Sequence, residues 1–389
     1  MQFGSLQRTI RLADGKLGWY KLGQSISGDW REFVRRQATQ ERRPTFAVFC
    51  EAFGDISDDC KSVTCGSDVE DTLHQPNYGR GNIVLQNKSA NYTEAGRSLI
   101  ETGYKGRIWA GVNGNNIPIW TGQVTDAKIN SRSHNITLSL AQPGETLNNK
   151  RTSGDYSSYN TPKTLIDYLC GQAGLAAPSY DSEGGPPATY EFGNTYIENS
   201  RTYWSLIHGA GLCIFYVPIF DVYGVLNMKR RSGFTDVDYL FDDSNIISIE
   251  YVDDAELINN KVIDYGNPIR FEFTFADNIN FGQQSRSKTN AYSIARWGER
   301  SDYETDELVG TWTKASAIID EILDFYPYQR SLYRVVAAAV PQLELMDRVR
   351  VDSAKRNIQG RFVVMGRKHT IRPGSYVTED ILMSMGAKF

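Results

Sequence analysis

The feature that most restricts this chain is a period of two. Short runs alternating apolar with polar residues recur along most of its 389 residues, each bounded by glycine, asparagine or aspartate. Such alternation puts one set of side chains on each face of an extended strand and leaves no helical stripe. Residues 82–87 (Asn-Ile-Val-Leu-Gln-Asn) carry it, and so do residues 135–140, where Ile136, Leu138 and Leu140 share a face. Trp109, Ile117, Ile119 and Trp120 flank Asn113-Gly114-Asn115-Asn116, and Asn-Gly supplies the positive φ of a tight hairpin. Residues 9–15 read as a strand running into a turn and residues 44–53 as a further strand. Between them, charged residues 29–43 predict a short surface helix. The segment up to about residue 145 is therefore an antiparallel β domain. The 12% aromatic content agrees, because such rings suit half-buried pleated surfaces.

The pattern then changes. Residues 146–161 hold Asn, Ser, Thr, Gly and Tyr with few aliphatics and read as a linker. Thr161-Pro162 opens a helix, with threonine as cap and proline at the first helical position. Leu165, Ile166, Leu169 and Ala173 form its buried stripe, and a Gly/Pro-rich loop follows at 179–187. Residues 200–211 predict a second capped helix ending at Gly211. Strands at 212–218 and 225–230, joined through Asp221-Val222-Tyr223-Gly224, complete a small α/β module. From about 247 strands return, at 247–252, 260–265, 270–275, 332–340, 347–351, 361–365 and 378–383. One helix at 313–326 interrupts them, with Ala315, Ile318, Ile319, Ile322 and Leu323 at helical spacing and Pro327 as its stop. The organisation is 1–145, a β domain; 146–246, linker and α/β module; 247–389, a β domain with one packed helix. The fold class is mainly β (α+β).

Charge and motifs narrow the function. The net charge of −4 lacks the basic excess that sequence-independent DNA binding requires, although it permits a surface past which DNA slides without sticking. The longest apolar stretch, 211–220, is far short of the roughly 20 residues of a membrane helix. Met1-Gln2-Phe3-Gly4-Ser5 has no basic-then-apolar signal, so the chain is expected to be soluble and made in the cytoplasm. Gly-x-Ser-x-Gly, His-Glu-x-x-His and the Walker loop do not occur. His74, His134, His208 and His369 stand far apart, and His208 reads as a packed or capping residue. Asp236, Asp238, Asp242 and Asp243 crowd one stretch. Leu240 and Phe241 break the calcium-loop pattern there, which leaves a solvated acidic turn. Arg31, Arg35, Arg36, Arg42 and Arg43 read as a solvated helix face, or as a subunit contact with the acidic stretch 55–71.

The five cysteines are too few and too scattered for a secreted disulfide framework. Cys60 and Cys65, in a stretch read as a polar loop at 59–66, are candidates for a small disulfide formed in an oxidising exterior. Cys50, Cys60, Cys65 and His74 offer a zinc or iron–sulfur donor set. Their spacings match no compact knuckle, so a disulfide or free thiols is the preferred reading. No catalytic, cofactor or metal residue is predicted.

Five stretches together resemble one family. Residues 81–93 are similar to a strand followed by Asn-x-x-x-x-Tyr-[Ser/Thr], here Asn87, Tyr92 and Thr93. Residues 117–124 contain the aromatic-Thr-Gly element as Trp120-Thr121-Gly122, residues 224–231 match Gly-x-Leu-x-x-x-x-Arg, residues 259–262 match an Asn-x-Val strand start, and residues 341–349 match Pro-x-Leu-x-Leu-Gly-Asp-x-Val. In this order they resemble the hub and minor tail proteins of the bacteriophage tail tip or baseplate, over most of residues 80–389. Two departures stand out: Met346 occupies the glycine position, and the acidic, cysteine-bearing residues 28–78 have no counterpart. The resemblance implies two tail-tube-like antiparallel β-barrel or sandwich domains with an inserted α/β module. It implies a homotrimeric ring of the virion that joins a sixfold tail tube to a threefold tip and lets genome DNA pass. Its partners would be tail-tube or distal tail proteins above and tip, spike or fibre proteins below. The alternatives are the hub of a phage-derived injection machine, or a receptor- or polysaccharide-binding tail protein.

Overall fold

The structure is a computed structural model that describes residues 6–10, 17–21, 44–68, 78–94, 96–130, 132–152, 154–181, 192, 196–197, 201–230, 235–254, 257–265, 284–306, 308–309, 311–325 and 330–385. The expected helix at 29–43 and strand at 270–275 lie outside the described residues, as does most of the 179–187 loop. Leu6–Ile10 pairs antiparallel with Leu17–Lys21.

The first β domain is built from β1 (Pro44–Cys50), β2 (Cys60–Asp68), β3 (Arg80–Gln86), β4 (Lys105–Val112), β5 (Asn115–Asn130) and β6 (Asn135–Ala141). They pair antiparallel in the order β2-β3-β6-β5-β4-β1. The β4–β5 reversal is the predicted two-residue turn, with Asn113 and Gly114 both at positive φ, 56° and 81°. Alternation is realised as burial: Ile83, Leu85, Ile136, Leu138 and Leu140 point inward with Val48, Val63 and Ile108 to form one core. Asn87 shows why its motif has an asparagine. Its Oδ1 accepts from the Tyr92 N–H at 3.0 Å and its Nδ2 donates to Thr93 Oγ1 at 2.8 Å, closing the turn after β3.

One strand was hidden. Residues 59–66, read as a polar loop, all lie on β2 except Asp59, with Cys60, Val63 and Cys65 buried. Cysteine here acts as a small hydrophobe, which restores the alternation. The same geometry removes the expected disulfide, and none of the five cysteines is disulfide-bonded. Five residues along an extended strand separate Cys60 from Cys65 by roughly 16 Å, whereas a disulfide needs Cα atoms within about 7 Å.

The middle module contains α1 (Gly144–Asn149), α2 (Pro162–Gln172), α3 (Tyr203–Cys213), β7 (Tyr216–Phe220) and β8 (Leu226–Arg230). Thr161 caps α2 in a full capping box with Thr164, as the Thr-Pro signal predicts. Helix α1 begins just before the stretch read as linker. Helix α3 runs two residues past Gly211 and reverses instead at Phe215, whose φ is 64°. Asp221 accepts from the Tyr223 and Val225 N–H groups to hold the β7–β8 turn.

The remaining elements are β9 (Thr235–Asp242), β10 (Ile246–Asp254), β11 (Asn260–Tyr265), β12 (Gln284–Thr289), α4 (Ala291–Trp297), β13 (Ser301–Asp306), α5 (Trp312–Phe325), β14 (Ser331–Ala338), β15 (Asp347–Ser353), β16 (Ile358–Arg372) and β17 (Ser375–Ser384). Strands β10-β14-β17-β16 run antiparallel, β15 pairs with β16, and β9 adds to β15 in parallel. Their core holds Val335, Val349, Val351, Val363, Val364 and Leu382. Helix α5 does not pack on that core, contrary to expectation. Its Ala315, Ile318, Ile319 and Ile322 join Leu165, Leu169, Ile207 and Leu212 in the middle module's core, together with Ile263 of β11. The three-stranded sheet β12-β11-β13 and its helices are thus inserted between β10 and β14, which are paired neighbours.

Strand β16 also pairs with β2, from Gly366↔Asp68 to Ile371↔Val63. The two β domains therefore belong to one continuous thirteen-stranded sheet.

Candidate functional site

The chemistry-bearing residues converge where β2, β16, β17 and the module meet. Gly66 is required at this seam: a Cβ there would lie 2.9 Å from the Lys368 Cα and closer still to the Arg367 carbonyl oxygen, both backbone atoms. Arg367 follows the small Gly366 and points into the joint. It is buried, donates through Nη1 to the Leu343 carbonyl, and holds Nε 3.2 Å from Asp380 Oδ1. Asp380 is fully buried, and its burial outweighs the attraction of Arg367, raising its carboxyl to about 6. His369 Nδ1 and Tyr376 Oη lie 2.9 Å apart. Burial, helped by Arg367, holds His369 well below its ordinary value, so the ring is neutral, and burial lifts the Tyr376 hydroxyl.

A second ionic cluster ties the module to the same joint. Lys229 of β8 donates to the Leu345 carbonyl at 2.5 Å and to Glu344 Oε2 at 3.4 Å, with Asp347 Oδ1 at 3.9 Å. Asp347 Oδ2 accepts from the Glu344 N–H at 2.8 Å, which closes the turn. Met346, at the position where the resemblance expects glycine, has φ 65° and is buried. Thr121 completes the contact by donating to the Val222 carbonyl at 2.8 Å. Beside the joint lies a groove of about 700 Å³ lined by Arg80, Arg334, Arg367, Lys368, Asp68 and Glu379.

Among the described residues, those singled out from sequence do not gather into a catalytic or metal constellation. Burial pushes the Cys60 thiol up to about 12 and raises Cys65 further, which leaves both protonated and unreactive. Cys60 stands opposite Leu85 of β3, whereas Cys65 stands opposite His369 across the β2–β16 ladder. His74 and Arg31, Arg35, Arg36, Arg42 and Arg43 lie outside the described residues. His134 sits in a turn at φ 52° and His208 is buried in α3. Asp236, Asp238 and Asp242 lie on β9 rather than in a solvated turn, and Asp243 pairs with Arg356 at 3.0 Å and accepts from Ser353. Among the described residues no group of three or more His, Cys, Asp or Glu is arranged to hold a metal ion, and no helix is long and apolar enough to cross a membrane.

Sequence reasoning missed Arg367, Asp380 and Lys229. Arg367 and Asp380 sit at inward positions of alternating strands, a charge where an apolar residue belongs, and that was the available signal; Lys229 shares the parity of polar Asn227, opposite Leu226 and Met228, and gave none. The outer strand β10 was found but not its exposure: Ile247 and Tyr251 are each 55% exposed and Val252 41%.

No family model matches the chain, and no curated protein does. Solved structures do. A 43 kDa tail protein of prophage MuSo2 from Shewanella oneidensis matches with a TM-score of 0.60 at 14% identity, over 87% of this chain and 98% of that one. A tail protein from Neisseria meningitidis matches at 0.61 and 12%, over 88% and 96%. The prophage tail protein gp18 from Listeria monocytogenes matches at 0.54 and 13%, over 87% and 94%. Over 87–88% of its length the chain has the fold of these phage tail proteins.

Proposed function

We propose that the chain is a structural hub of a phage tail tip or baseplate. The observation that carries this reading is the fold likeness to tail proteins of almost equal extent, each covered over more than nine-tenths of its length. In this reading residues 1–145 and 247–389 supply two tube-like β domains. The module of 146–246, with the β11–α5 insertion, buttresses them from one side. Three copies, each giving two such domains, form a closed ring of pseudo-sixfold outline. The ring joins a sixfold tail tube above to a threefold tip, spike or fibre below, and genome DNA passes through it without base-specific contact. The protein acts by geometry, needs no cofactor and resides in the virion. The thirteen-stranded sheet supports this role because it fixes the two β domains in one orientation.

A receptor- or polysaccharide-binding role draws on a different observation, the exposed Tyr292, Tyr303 and Trp312 around the β11–α5 insertion. The native mass of the purified chain at micromolar concentration separates the two. A trimer inert towards host glycans is expected. A monomer that binds host glycans overturns the hub in favour of the binder.

A further inference from the structure

A small cavity of about 40 Å³ lies at the heart of the three-way joint, lined by Trp120, Gln142, Lys229, Glu344, Arg367 and His369 among others. Two of its lining residues carry buried donors without a hydrogen-bonded acceptor: Trp120 through Nε1, and Arg367 through Nη2 and through Nε, the latter 3.2 Å from Asp380 Oδ1. The six-membered end of the Trp120 ring abuts Gly81 and Gly122, so the indole nitrogen lies at the opposite end of the ring. Arg367 commits Nη1 to the Leu343 carbonyl and holds Nε 3.2 Å from Asp380 Oδ1, so Nη2 is the nitrogen with no protein group near enough to accept.

Two buried donors left without acceptors on residues that line one polar cavity are unfavourable unless something accepts from them. A water molecule needs roughly 10–15 Å³ of such space and two to four polar partners, so the cavity has room for about three. A small anion would also accept, but Asp347, Glu344 and Asp380 already surround the joint with carboxylates, which favours a neutral acceptor. We infer that the cavity binds ordered water that bridges Trp120 Nε1 of the first β domain to Arg367 Nη2 of the second. The joint between the domains is then wet, and the two domains sense each other through solvent as well as through the β2–β16 ladder. The inference holds whether or not the chain is a tail hub.

The test uses the full chain labelled with ¹⁵N-tryptophan. The Trp120 indole resonance is assigned by its loss in Trp120→Phe. It is expected to show direct cross-relaxation with water and to shift in Arg367→Lys more than the other indoles. An indole without water cross-relaxation, or one indifferent to Arg367→Lys, overturns the bridge. A shift on exchanging chloride for gluconate overturns water in favour of an anion. Should Trp120→Phe fail to fold, a crystal structure decides: density within about 3 Å of both nitrogens supports the bridge, and an empty or collapsed cavity rejects it.

Discussion

At the scale of single residues, two positions balance opposed effects, and magnitudes decide each. Asp380 has its carboxyl raised from 3.8 to about 6 by burial despite Arg367. A raised acid favours folding when protonated, so its contribution is complete below 3.8 and is lost as pH rises through 6. Asparagine imitates the protonated form at every pH. By that linkage Asp380→Asn is expected to stabilise the protein at pH 8, by on the order of 1–3 kcal/mol, and to match the wild type near pH 4. His369 acts with the opposite sign, because burial keeps it neutral and folding must resist its protonation below about 6.5. The difference between variant and wild type in urea titrations isolates Asp380. A variant less stable at pH 8 would mean that Arg367 needs the carboxylate more than burial opposes it. Met346 is the second case. Its left-handed backbone costs roughly 1–2 kcal/mol, while deleting its buried side chain costs about 2–5 kcal/mol. Both Met346→Gly and Met346→Ala should destabilise, with alanine the worse by about 1 kcal/mol because it loses the side chain and keeps the strain. Equal denaturation midpoints would show that the backbone relaxes once the side chain is gone.

Among elements, legibility in the sequence followed locality. The Asn113-Gly114 hairpin, the Thr161-Pro162 cap, the α5 stripe and the strands of β6, β11 and β17 declare themselves within a dozen residues, and the structure has them. What was lost depended on distant partners. β2 looked polar because its apolar residues are cysteines, and α5 was assigned to the sheet that follows it although its partners are β11, α2 and α3. The joint was illegible for the same reason: Lys229, Glu344, Arg367 and Asp380 come together from four separate stretches. Local signals should carry local energies. Thr161→Ala removes the acceptor of the Thr164 N–H and is expected to cost about 1 kcal/mol in chemical denaturation, with the seam unaffected. Strand β10 tests a longer reach. Edges of sheets are commonly guarded by charge or proline, yet β10 exposes Ile247, Tyr251 and Val252. The double variant Ile247→Lys with Tyr251→Lys is expected to reduce the proposed trimer to monomer in sedimentation, with stability changed by no more than about 0.5 kcal/mol. A trimer that survives places the ring contact on another surface.

For the molecule as a whole, the β2–β16 ladder decides whether two β domains behave as one body. The domains have separate cores, and separate cores ordinarily unfold separately unless the interface between them is extensive. Here six residue pairs continue the sheet from one to the other, Ile371 and Tyr376 pack into the first domain's core, and the Arg367 joint fastens the same place. Coupling of that strength predicts a single unfolding transition for both domains, seen alike by near-ultraviolet and far-ultraviolet signals. Gly66 is the point at which to break it. A methyl group there meets the Arg367 and Lys368 backbone, which cannot swing aside as a side chain would, so the strands must separate locally. The overpacking costs on the order of 1–3 kcal/mol, and its location matters more than its size. Gly66→Ala should split the transition in two in differential scanning calorimetry, whereas Thr161→Ala shifts its midpoint without splitting it. A Gly66→Ala protein that still melts in one step would mean that the middle module, touching both domains, holds them together without the ladder. The rigidity attributed to the hub would then reside in the module's contacts through Lys229 and Thr121.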